Sequence, residues 1–132
     1  MTRDRVVRIA RAALRAERVS AALLSITFVG NAVMRRLNRK HLRRSGDTDV
    51  ISFTFRPAHQ RAPLVGDIYI APDVAKRSAG ENGVSVREEL VRLIVHGVLH
   101  AVGHDHPEDA TRVNSAMWQQ QERLVRRLAR SA

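Results

Sequence analysis

His96-Gly97-Val98-Leu99-His100-Ala101-Val102-Gly103-His104-Asp105-His106 closes the longest apolar stretch of the chain and decides how its C-terminal half is read. His96 and His100 stand four positions apart, about 40° around an α-helix, so both imidazoles project from one face. A helix running on through His106 would aim that third ring away from the pair. Gly103 supplies the break, because a glycine just past a helix end takes the left-handed conformation that turns the chain. His106 then returns to the other two. Three neutral imidazoles with the fourth position open describe a catalytic zinc site, whereas a structural site usually closes with a fourth protein ligand. The expectation is one zinc ion per chain, held by His96, His100 and His106.

Upstream, Ser85 with Glu88 three residues later is a capping box, which opens a helix. That helix runs to about Val102 and is apolar nearly all round from Leu90, so it is expected to be the buried central helix. Downstream, Pro107 followed by Glu108 and Asp109 has the composition of a helix N-terminus. Val113, Met117, Leu124 and Leu128 continue a core stripe, and Met117 and Trp118 are read as packing residues. His104 is read as an exposed loop histidine.

Working toward the N-terminus, Gly66 to Ala71 predicts a short strand, and Pro72 starts a helix to about Ala79 that Glu81-Asn82-Gly83 ends. Asp49 to Phe55 alternates, with Ile51, Phe53 and Phe55 on one apolar face. Asn31 can cap a helix to about Leu42 whose Val33, Leu37 and His41 face inward. Leu23 to Val29 is a strand. Residues 3 to 17 carry Val6, Ile9, Ala10, Ala13 and Leu14 at helical spacing. The order is helix, strand, helix, two strands, three helices: an α+β fold, a small sheet covered by helices, in a single domain spanning residues 1–132.

There is no cysteine, so thiolate metal sites and disulfides are excluded and a reducing cytoplasm is expected. Neither a signal peptide nor a membrane span is present in the pattern. The net charge is +10, which points to a polyanion such as a nucleic acid, since guanidinium binds phosphate in a bidentate way. The charge is concentrated: residues 35 to 44 hold six cations in ten positions, and Arg39, Lys40, Arg43 and Arg44 are the candidate phosphate contacts. With three Phe, one Trp and one Tyr, base stacking on aromatics is not expected to dominate.

The histidine spacing is that of the long zinc-protease motif, except that Gly97 stands where the general-base glutamate would be. A peptidase of that type is therefore disfavoured. The stretch is instead similar to the signature of the YbeY family, single-domain metal-dependent endoribonucleases of ribosomal RNA processing. Leu37-Asn38, Thr48-Asp49-Val50-Ile51-Ser52-Phe53 and Gly66-Asp67-Ile68-Tyr69-Ile70 resemble that family's other blocks, in the same order, over about residues 26 to 128. The resemblance implies a zincin-like fold with a mixed sheet of about four strands, and His96, His100 and His106 as zinc ligands. It also implies single-strand cleavage in small-subunit ribosomal RNA maturation, with RNA or the ribosome as partner. Where the family frequently has an arginine that acts on the scissile phosphate, this chain has Leu42, followed by Arg43 and Arg44.

Zinc held by three neutral ligands lowers the pKa of a bound water from about 15.7 to about 7. The ligand rings need outer hydrogen-bond partners, for which Asp105, Asp67 and Asp49 are candidates. No residue is assigned as the general base. Besides the nuclease, the residues leave two other readings: a zinc hydrolase of another substrate, such as a peptide, and a non-enzymatic ribosome-associated zinc protein.

Overall fold

The computed structural model describes residues 1–42, 48–55, 62–104 and 115–130. Its elements are α1 (Arg3–Ala16), β1 (Ala22–Phe28), α2 (Asn31–Leu42), β2 (Val50–Phe55), β3 (Leu64–Ile70), α3 (Pro72–Asn82), α4 (Val86–Val102) and α5 (Ala116–Leu128). Their order is the one the sequence periodicities predict. Among the described residues the fold is α+β, five helices and a three-stranded mixed sheet.

The sheet runs β1-β3-β2, with β1 parallel and β2 antiparallel to β3. A parallel pair cannot be joined by a tight turn, and here the connection between β1 and β3 contains α2 and β2. Side chains alternate across the sheet, and both faces are used. Ile68 and Ile70 join Val6, Ile9, Ala13, Val91, Ile94, Val98 and Leu124 in the main core. Ile51 and Ala71 join Met34 of α2 in a smaller cluster on the opposite face, flanked by Leu37, Phe53 and Tyr69.

That second cluster corrects one expectation and bears out another. In α2 the inward residues are Met34 and Asn38 with Leu37, whereas Val33 and His41 are exposed. The helix begins one residue earlier than a cap at Asn31 would allow: Gly30 carbonyl accepts from Met34 N–H, which makes Asn31 the first helical residue. In β2 the face predicted to be apolar does pack, with Ile51 at 2% exposure and Phe53 against this cluster, although Phe55 at its end is 59% exposed and Val50 on the other face packs against the main core.

Helix α4 is the centre of the molecule, in contact with α1, α3, α5, β2 and β3. Ser85 caps it, its hydroxyl accepting from Glu88 N–H at 3.0 Å; the Glu88 carboxylate turns instead to Arg92. Gly103 ends it at φ 122°, a conformation that side chains rarely adopt. The helix start expected at Pro107 lies outside the described residues. Ser115 is extended, and its hydroxyl caps α5 by accepting from Trp118 N–H, so α5 opens at Ala116.

Candidate functional site

The face of α4 that meets the sheet explains Gly97. A Cβ built there would lie 2.7 Å from Ile68 Cγ2 and 3.4 Å from Val50 Cγ2, and Ile68 has no exposed surface. Only glycine lets the helix lie this close to β3. A glutamate at this position would be driven into the sheet. Two hydroxyls of β2 then fix the helix along its length: Ser52 donates to Gly97 carbonyl at 2.9 Å and Thr54 to Ala101 carbonyl at 3.3 Å. Each accepting carbonyl belongs to the residue after a histidine, so the sheet holds the backbone that carries the two rings.

Those rings are together, as the i, i+4 spacing predicts. The centroids of His96 and His100 are 4.7 Å apart with planes at 73°. His96 Nδ1 lies 2.6 Å from Oε1 of Gln121, a residue 1% exposed on α5. The Gln121 amide donates to Glu122 at 3.0 Å. Glu122 in turn accepts twice from Arg92, at 2.9 and 3.0 Å, and Arg92 also reaches Glu88 and Glu89. Glu88, Arg92, His96 and His100 follow one another at intervals of four along α4, so this polar ladder runs down a single ridge of the helix.

Burial pushes the Glu122 carboxyl upward, but hydrogen bonds from Arg92 and Gln121 and the charges of Arg92 and Arg126 outweigh it, and the net shift is below its ordinary 4.5. Arg92 is shifted upward, chiefly by its hydrogen bond to Glu122. A lowered carboxyl pKa stabilises the fold fully above the unfolded value, and the contribution fades as pH falls through the lowered, folded value. Relative to Glu122→Gln, the parent is therefore expected to be more stable at pH 7, with the difference shrinking on acidification below about 4. Urea unfolding of both proteins at pH 7 and in steps down to pH 3 checks this; a constant difference contradicts it.

The other candidates are distributed differently. His106, Asp105, Arg43 and Arg44 lie outside the described residues. Among the described residues no three His, Cys, Asp or Glu side chains form a metal-holding group. Arg39 and Lys40 are exposed in the last turn of α2, and His41 beside them packs its ring on Phe53, centroids 4.8 Å apart. Asp67 is not an outer partner of the histidines. It pairs across the sheet with Phe53, on the face away from α4, and accepts from Ser25 at 2.6 Å. Asp49 carbonyl accepts from Ala71 N–H. His104 is not a solvated loop residue, since its ring meets Glu17 at the end of α1, and Gln120 donates to the same carboxylate at 2.9 Å.

Gln121 was not among the sequence candidates. Its signal was present: it occupies the apolar stripe of Met117, Leu124 and Leu128, where a polar residue needs a partner.

A model of the family described as Endoribonuclease YbeY matches residues 1–129. The chain belongs to the YbeY family. Among curated members, the Endoribonuclease YbeY of Persephonella marina is 38% identical over 85 residues, covering 63% of this chain and 56% of that one. That of Myxococcus xanthus is 39% identical over 109 residues, 79% of this chain and 37% of that one. The match thus spans about half, or less, of these relatives' length. The solution structure of a Thermotoga maritima protein superposes with a TM-score of 0.61 over 97% of this chain and 84% of that one, at 21% identity, which establishes a shared fold. No helix among the described residues of this YbeY-family chain is long and apolar enough to cross a membrane.

Proposed function

We propose that this chain is a zinc-dependent endoribonuclease that cleaves single-stranded RNA during maturation of small-subunit ribosomal RNA, acting as a single cytoplasmic domain. The observation that carries the reading is the His96–His100 pair on a helix clamped to the sheet, with His96 hydrogen-bonded through Nδ1, in a chain of the YbeY family. The donors suit zinc: neutral imidazoles, close together, with a buried amide oxygen as the outer partner that ligating histidines require. His106 is the proposed third ligand, one ion per chain, and the zincin-like arrangement with a fourth strand is part of the same proposal.

Bound there, zinc would supply a Lewis acid for a phosphoryl oxygen and a source of nucleophile near neutral pH. The chain's own part is to hold the imidazoles rigid, through Ser52 and Thr54 on the backbone and Gln121 on the ring. Gly97 weighs against a peptidase: the position of the protease glutamate faces Ile68 and has no space for a side chain.

Arg39, Lys40, Arg43 and Arg44 are proposed to bind RNA phosphates, with Arg43, the residue following α2, in the role of the family arginine absent at Leu42. Replacing all four with glutamine is expected to weaken single-stranded RNA binding and to lower the slope of log affinity against log salt by about 0.7 per lost phosphate contact. Titrations from 50 to 300 mM salt test this, with bound metal measured alongside. An unchanged slope would make the run a solvated face.

A further inference from the structure

Gln121 is the buried residue that the fold places against the metal-site histidine for no evident packing reason. Its position on the α5 stripe calls for an apolar side chain, and Met117, Leu124 and Val125 around it are each 2% exposed. An amide there must find partners, and it has two of unlike kind. On one side is a carboxylate, Glu122, which is held by Arg92. On the other is the Nδ1 of His96, at 2.6 Å.

An amide can be turned end for end, but here the partners decide the orientation. An ionised carboxylate only accepts hydrogen bonds, so the NH2 of Gln121 must face Glu122 and its oxygen must face His96. An oxygen so placed can only accept. Nδ1 of His96 must therefore carry the ring proton, because a bare Nδ1 would set two lone pairs against each other at 2.6 Å. In a neutral imidazole the proton on one nitrogen puts the donor lone pair on the other. Histidine in water favours the opposite tautomer, so the preference has to be imposed.

We propose that Gln121 is a positioning residue that fixes His96 as the Nδ1–H tautomer before any metal arrives, with Glu122 and Arg92 fixing the direction of the Gln121 amide. The ladder along α4 and α5 thereby presents Nε2 of His96 as a ready donor. Its value for zinc binding rests on the function proposed above; the tautomer assignment itself does not.

The test reads the metal-free protein first. Nitrogen-15 correlation spectra of the histidine rings, recorded at pH 8 in chelator-treated protein, are expected to show His96 as Nδ1–H. In Gln121→Met, similar in volume but unable to accept in this way, His96 should revert to mainly Nε2–H, with thermal unfolding showing that the fold is retained. Zinc affinity, measured by competition with a chelating dye, should then fall about 10- to 100-fold. A purely structural role for Gln121 would leave the tautomer unmoved. Should Gln121→Met fail to fold, Glu122→Gln serves instead: an amide at 122 no longer dictates which way Gln121 points, and a mixture of tautomers is expected. Nε2–H in the parent overturns the proposal, as does an unchanged Nδ1–H signal in a folded variant. If the parent shows Nδ1–H and yet binds no zinc, the tautomer assignment stands and the zinc-dependent function is what fails.

Discussion

Gly97→Glu is expected to cost the chain much of its stability and to create no peptidase. A Cβ alone would lie 2.7 Å from Ile68 Cγ2, and neither partner can give easily, since Ile68 is fully buried in the main core. Overpacking by one carbon typically costs about 1–3 kcal/mol. Gly97→Ala shows this term alone, partly offset by about 1 kcal/mol of helix propensity gained over glycine. The glutamate adds a carboxylate with no water and no partner, which costs several kcal/mol more or forces α4 away from the sheet. Against a typical total stability of about 5–15 kcal/mol, a loss on the order of 10 °C in Tm or outright unfolding follows. Thermal and urea unfolding of parent, Gly97→Ala and Gly97→Glu should give that order of decreasing stability. A Gly97→Glu protein as stable as the parent would show that the helix does not need this close approach.

His100→Ala is expected to lose bound metal and RNA cleavage together while keeping the fold. His100 lies one turn beyond His96 at the C-terminal end of α4, only partly buried, so removing its ring leaves the main core intact. Three-coordinate imidazole sites depend on every ligand. Loss of a direct ligand should exceed the roughly 10- to 100-fold affinity loss typical of an outer partner. Elemental analysis of untagged protein should fall from close to one zinc per chain to near none, and single-turnover cleavage by more than about 100-fold. Full zinc retention in both His96→Ala and His100→Ala would remove the histidines from the site.

The elements were legible because their signals are local. The capping box at Ser85, glycines at 83 and 103, and the 3.6-residue stripe of α1 each act within a few positions of themselves. What failed depended on partners distant in sequence. Which residues of α2 face inward is settled by Ile51 and Ala71, which lie far along the chain and gather around Met34. Asp67 looked like an outer partner of the histidines, but a strand residue's face is set by register, and pairing with Phe53 turns it away. His104 and Glu17 meet across 87 positions, beyond any periodicity. Gly97 was read as a missing catalytic base; the structure adds a packing reason for it. The i, i+4 histidine pair, by contrast, needed only helix geometry to be found.

The most direct measurement is cleavage of single-stranded RNA by one preparation in three states: as purified, stripped by chelation, and resupplied with zinc, with metal content determined in each. Cleavage that tracks zinc up to one ion per chain, with no hydrolysis of peptides in parallel, is the predicted result. RNA cleavage that persists undiminished in fully stripped protein, or its absence from zinc-loaded protein, would contradict a metal-dependent nuclease built on His96, His100 and His106.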